Sequence, residues 1–228
     1  MIPSADLAMG IICLVVAFAG SIMNGFVIFV MITKKELRRQ DYVCFILNKG
    51  FFDFIFCVHL FMQAAVIFSG APSTSALCLT ASLINVGLGL GTNFAEFALA
   101  SNRYTAILHT ELYKKIYTKR NICLMCVLTW LMAFGLSLRF LLTGQMSRPY
   151  GGLCTLTLSS PVAIASFNLP LSTSLAFVFF FNYQIRRRLL QHQNQTMSSG
   201  QRSQLQLDQD LVRFITVTAF TPVVTLAQ

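Results

Sequence analysis

Between Cys78 and Tyr104 the chain reads CLTASLINVGLGLGTNFAEFALASNRY, an apolar and small-residue run that nevertheless carries Asn85, Thr92, Asn93, Glu96 and Arg103. As a helix it extends about 40 Å, enough to cross a bilayer. At roughly 100° per residue, Cys78, Asn85, Gly89, Thr92 and Glu96 fall within about 40° of the line through Arg103. A helix bathed in lipid does not collect its costly groups on one stripe in this way, because polar groups in hydrocarbon turn toward protein or water. The stretch is therefore expected to be the axle of an all-α membrane bundle.

The rest of the chain supplies the partners. Only 11% of its 228 residues are charged, whereas soluble domains carry about 25%. Apolar runs are predicted to span a membrane near 7–32, 42–68, 77–107, 122–142, 161–183 and 211–228, forming one bundle over 1–228 with no repeat and no separate soluble domain. Ala17-Phe18-Ala19 resembles a signal-peptidase site, but the start lacks a basic region and the apolar run continues beyond it, so an uncleaved first span is expected. The stretch from Gln191 to Gln209 is polar and without helical periodicity, and reads as a loop.

Charge placement sets the expected orientation. The first, third and fifth connections hold four, five and five of the seventeen Lys and Arg residues, and the second and fourth at most two. Basic loops stay in the cytoplasm, so the N-terminus is predicted outside. The net charge of +9 then faces anionic inner-leaflet lipid and cytoplasmic partners, and nucleic acid is not an expected partner.

Of the seven cysteines, only Cys78 and Cys154 fall at the predicted outer side. A bond between them would tie the second outer loop over the bundle mouth; the competing reading is two unrelated thiols. Cys123-x-x-Cys126 lacks a second ligand pair, which argues against zinc. Asn194-Gln195-Thr196 fits a glycosylation pattern but is predicted on the cytoplasmic side, hence unmodified. Asp53 at mid-membrane requires a partner or water. Lys49 lies one turn away, and either pairs with Asp53 or snorkels to the interface. Asn24 reads as a polar clamp between the first two helices. Arg103 is either an exchangeable switch element or a plain interfacial anchor. No nucleophile, metal-ligand or phosphate-loop constellation is present, so neither an enzyme nor a cofactor is expected.

Together these marks resemble the rhodopsin-like G-protein-coupled receptors. The resemblance rests on Gly-Ser-Ile-Met-Asn24-Gly-Phe-Val in the first span and Leu47-Asn48-Lys49-Gly50-Phe51-Phe52-Asp53 in the second. It continues through Cys78 twenty-five residues before Arg103, Asn102-Arg103-Tyr104, Trp130, Cys154 and Pro170. A narrower similarity, to nematode serpentine chemoreceptors of class x, rests on Asn102-Arg103-Tyr104-Thr105-Ala106-Ile107 and on Tyr113-Lys114-Lys115-Ile116-Tyr117-Thr118-Lys119-Arg120-Asn121. There are departures. Asn102 replaces an acid, Lys49 replaces a leucine, Val178 stands where the fifth helix usually has a tyrosine, and Phe220-Thr221-Pro222 matches the sixth-helix motif only loosely. No seventh span is seen, so the sequence reads as truncated before it.

The resemblance implies a plasma-membrane receptor, chemosensory and at home in a sensory-neuron membrane, that binds a small neutral molecule or peptide among its helices and signals to a heterotrimeric G protein. It implies ligand contacts at Asn85, Gly89, His59, Gln63, Asn168 and Ser172 and coupling at Asn102, Arg103, Tyr104 and Ile107; Asn24, Lys49, Asp53, Thr92 and Glu96 read as a polar core, although the family pattern gives Glu96 no acid-specific role. It also implies a sodium site at Asp53 and Thr92. The competing readings are a truncated, non-signalling isoform and a transporter or channel fragment with Asp53 and Glu96 lining a path.

Overall fold

A computed structural model of the chain describes residues 4–35, 42–70, 75–143, 146–147, 153–156 and 161–195. Within them the chain forms α1 (Ser4–Thr33), α2 (Val43–Ser69), α3 (Ala76–Leu108), a short α4 (Thr110–Ile116), α5 (Lys119–Leu142) and α6 (Pro161–Gln195). Two-residue strands β1 (Met146–Ser147) and β2 (Thr155–Leu156) pair antiparallel between α5 and α6. Five helices, all but α4, are long and apolar enough to cross a membrane. The expected sixth span, with Phe220-Thr221-Pro222, lies outside the described residues, as do Arg148 and most of the first basic connection.

Helix ends follow local chemistry. Ser75 caps α3 by accepting a hydrogen bond from the Cys78 amide at 3.2 Å. Gly70 ends α2 at φ +64°, a left-handed turn that glycine adopts without steric penalty. Two connections were expected as loops and are partly helical. The basic segment at Lys114 and Lys115 forms α4, and Lys119 already begins α5, capped by the Thr118 hydroxyl. The fifth span does not stop at Tyr183; α6 continues through Arg186–Arg188 to Gln195, so the polar run is helical over its first five residues. Arg, Leu and Gln are good helix formers, and a helix that leaves the membrane can continue in water without an apolar stripe.

The third span is the axle it was expected to be. In its most apolar stretch 56% of residues are buried, against 11–39% in the other four. It packs against α2, α5 and α6, while α1 lies on α2. Large apolar side chains such as Phe18 and Phe26 on α1, Leu131 on α5 and Leu169 on α6 are exposed, as lipid-facing surface is in a multi-pass membrane protein. Small residues let the helices close up: Phe52 of α2 packs against Gly91 of α3 and stacks on Trp130 of α5 at 3.8 Å between ring centres.

Candidate functional site

Three polar layers line the face that α3 turns toward its neighbours. At one end, Cys78 and Cys154 form a disulfide with Cα atoms 5.4 Å apart. Gln63 of α2 reinforces it: its Nε2 donates to the Cys154 carbonyl at 2.9 Å and its Oε1 accepts from the Cys154 amide at 3.1 Å. The side chain of Gln63 is fully buried and also meets His59 Nε2 at 3.2 Å. Both residues, expected to face a ligand, instead belong to the clasp that holds the connecting segment onto α3.

Directly beneath this clasp is a cavity of about 30 Å³, walled by Asn85, Gly89 and Asn93 of α3, Thr155 of β2, and Phe167 and Leu171 of α6. A volume of that order holds a water-sized guest. A methyl group placed on Gly89 would meet nothing within 4 Å, so this glycine faces open space. Asn85 and Gly89 thus share one wall of this cavity. Asn168 and Ser172 do not line the cavity; they are exposed, and the Ser172 hydroxyl donates to the Asn168 carbonyl at 2.6 Å. The wall from α6 is offset by one residue, at Phe167 and Leu171. Asn93 was not among the expected contacts, yet its Nδ2 donates to the Gly89 carbonyl at 2.7 Å and it borders the cavity. Its polarity in an apolar run was the available signal.

In mid-helix, Lys49 resolves the choice left by the sequence: it does not snorkel. Its Nζ lies 2.6 Å from Asp53 Oδ2 and 3.6 Å from Glu96 Oε2, with only 13% of the lysine side chain accessible. Thr92 Oγ1 donates to the other Asp53 oxygen at 3.1 Å. Glu96, whose partner the sequence did not identify, therefore faces Lys49 across the α2–α3 interface; at 3.6 Å the contact is an ion pair without a hydrogen bond, and neither Glu96 oxygen has a hydrogen-bond partner among the described residues. The expected sodium position is filled by the protein's own ammonium. Asp53 and Thr92 would fit a sodium ion only if Lys49 withdrew.

Two further clamps surround this cluster. Asn24 of α1 donates to the Gly20 carbonyl at 3.0 Å and reaches Cys57 Sγ of α2 at 3.8 Å. Asn48 of α2 donates to Thr129 at 3.1 Å and accepts from the Trp130 indole at 2.9 Å, joining α2 to α5.

At the far end of α3, Arg103 is half-buried and Asn102 is only 1% exposed, with its Nδ2 unpartnered among the described residues. The Tyr104 ring lies 4.7 Å from Phe181 of α6 and 5.5 Å from His109, and Ile107 is exposed. Tyr117, at the end of α4, meets the Ser101 hydroxyl at 3.1 Å and packs edge-on to Phe45 of α2 at 6.0 Å. The sequence reading missed this anchor, whose only signal was the Tyr113–Tyr117 spacing of one turn.

Residues 23–227 match the family described as 7 transmembrane receptor (rhodopsin family). The match covers nine-tenths of the chain, including every layer described above.

Proposed function

The chain belongs to the rhodopsin family of seven-transmembrane receptors, and from that premise we propose that it binds an extracellular ligand in the helix bundle and passes the signal to a heterotrimeric G protein. One observation carries the reading. A single continuous helix, α3, provides Asn85 and Gly89 to the cavity under the disulfide and Arg103 to the opposite end. A shift at the first end is therefore felt at the second, and a ligand that prefers one packing of α3 against α6 biases the other end with it.

In this reading the Cys78–Cys154 end faces outward, the N-terminus is outside, and the Arg103 end lies in the cytoplasm, with Asn102, Arg103, Tyr104 and Ile107 meeting the G protein. The favoured ligand is a small neutral molecule or a peptide, because Asn85 and Asn93 offer amides but no charge to a cationic amine, and the cavity of about 30 Å³ between them admits one small group of it. The resemblance of Asn102–Ile107 and Tyr113–Asn121 to nematode serpentine chemoreceptors supports a chemosensory role at the plasma membrane.

The experiment is to express the chain in cells carrying G-protein dissociation sensors and challenge it with neutral odorants and peptides. A response that Arg103→Ala removes, and that Asn85→Ala shifts in ligand concentration, supports the reading. An ion or solute flux dependent on Asp53 and Glu96, with no G-protein response at normal surface density, would replace it with the transporter reading.

A further inference from the structure

His59 and Gln63 lie one turn apart on α2, and the clasp on Cys154 decides how they meet. The Gln63 amide donates from Nε2 to the Cys154 carbonyl at 2.9 Å and accepts from the Cys154 amide on Oε1 at 3.1 Å. Its orientation is therefore fixed, because the reversed amide would set oxygen against oxygen and nitrogen against nitrogen. One hydrogen of Nε2 remains, and His59 Nε2 lies 3.2 Å away, nearer than the Ala81 carbonyl at 3.4 Å. An amide nitrogen only donates, so His59 Nε2 must accept, and the ring is held as the neutral tautomer with its proton on Nδ1.

A proton on Nε2 reverses this arrangement. An imidazolium has two donors and no acceptor, so two donors would then face each other across 3.2 Å. The Gln63 amide can satisfy the imidazolium only by presenting Oε1 to it, and that turn gives up both bonds to Cys154. The described groups that face the ring are neutral: Gln63 from α2, the Ala81 carbonyl from α3 and Cys154 from the connecting segment. On the adjoining face of α2, α1 packs its Cys13 thiol against Leu60 and Ala64. The one acid of α2, Asp53, is paired with Lys49. The clasped form carries no proton on Nε2 and the released form can bind one. Clasp stability is therefore full at higher pH and falls as the medium acidifies.

Release would reach the cavity. Thr155, next to Cys154 in the chain, is one of its walls, and the Thr155 carbonyl is otherwise held only by a long contact from the Ser82 hydroxyl at 3.5 Å among its described side-chain partners. Cys154 stays bonded to Cys78, so the movement is local and reversible. We propose that His59 and Gln63 form an acid-operated latch, in which protonation of His59 frees the Cys154 backbone from α2 and loosens the Thr155 wall of the cavity. His59 is a positioning residue here, acting through Gln63. Control of ligand binding by the latch rests on the reading of the cavity as the ligand site; the release itself does not.

The test follows the full chain in phosphatidylcholine nanodiscs by hydrogen-exchange mass spectrometry of the peptide containing Cys154. Exchange is compared from about pH 8 to about pH 5, with rates corrected for the intrinsic pH dependence of amide exchange. In the parent, this peptide should exchange about fivefold faster or more on acidification, while peptides from α5 keep their rates. His59→Gln retains an acceptor for Gln63 and does not titrate in this range, so its exchange should stay slow throughout. His59→Phe has no site for the proton either and decides the matter if unfolding temperatures show His59→Gln to be misfolded. Gln63→Leu should exchange fast at both ends of the range. A parent that does not respond to acid would overturn the proposal, as would acid acceleration that survives in the folded His59 variants. In cells carrying G-protein dissociation sensors, external acid should alter the signal of the parent and leave that of His59→Gln unchanged. An exchange response without that signalling change would keep the latch and count against the cavity as the ligand site.

Discussion

The Lys49 ammonium on α2 lies 3.6 Å from the Glu96 carboxylate on α3, across the interface between the two helices. The same ammonium is 2.6 Å from Asp53, so one cation serves two carboxylates in a layer where water is scarce. Removing it leaves two buried acids facing each other. We expect Lys49→Met to destabilise the bundle toward the lower end of the about 3–5 kcal/mol typical of a buried pair that loses one partner, because Asp53 keeps 22% of its side chain accessible. Lys49→Met combined with Asp53→Asn should regain much of the loss. Thermal unfolding in detergent measures both, and a single variant as stable as the parent would count against a structural role for the lysine.

The same geometry separates the tethered ammonium from a diffusible ion. With Lys49 in place, exchanging sodium chloride for choline chloride should leave the unfolding temperature unchanged. In Lys49→Met, Asp53 and Thr92 are left 3.1 Å apart with one carboxylate oxygen relieved of its partner. Sodium should then stabilise this variant in a concentration-dependent manner. Sodium stabilisation of the parent chain would show that Lys49 withdraws more easily than its 2.6 Å contact indicates.

Gln63 holds both backbone hydrogen-bonding groups of Cys154, the residue that is also bonded to Cys78. Gln63→Leu keeps the bulk but leaves the Cys154 amide and carbonyl without these partners, a loss of about 1–3 kcal/mol. In a double-mutant cycle with Cys78→Ser and Cys154→Ser, the two losses should add to less than their sum, since both constrain the same segment. Strict additivity would mean that the clasp and the disulfide act independently.

The sequence showed the bundle and the identity of its central helix, because length, apolarity and a polar stripe on α3 depend on helical geometry alone. It likewise placed Asn85 and Gly89 on one face. What could not be read was partner choice across helices. Lys49 faces Glu96, and Gln63 faces Cys154, through the rotation of α2 against α3, which no spacing within either segment encodes. The one-residue offset on α6, from Asn168 and Ser172 to Phe167 and Leu171, has the same origin: both Ser172 and Leu171 suit a helix near a polar cavity, and packing decides between them. The helical continuation past Arg188 was missed for a different reason, since polar composition and helix propensity pointed in opposite directions.

Asn102 is 1% exposed, and its Nδ2 lacks an acceptor among the described residues. Asn102→Asp exchanges that donor for a carboxylate next to Arg103, and a buried carboxylate is tolerated only when a cation compensates it. Restraining Arg103 should lower basal G-protein activation relative to the parent chain at matched surface density. Asn102→Leu, which adds no charge, should not. Equal basal activity in all three would remove the restraint argument.

Gly89 and Gly91 stand two residues apart on α3 but face opposite circumstances. A methyl group on Gly91 would overlap the Phe52 ring, which is held in place by stacking on Trp130 at 3.8 Å, so neither can retreat without unpacking α2 from α5. A methyl group on Gly89 meets only the cavity. Gly91→Ala should therefore destabilise the bundle by about 1–3 kcal/mol, the range for overpacking. Gly89→Ala should leave stability unchanged or slightly raised, as alanine favours the helix. Ligand response should show the reverse pattern: Gly89→Val, which fills a cavity of about 30 Å³, should shift the required ligand concentration upward with little change in surface expression. If Gly89→Val signalled normally while Gly91→Ala folded normally, neither the cavity nor the α2–α3 contact would have the role assigned to it.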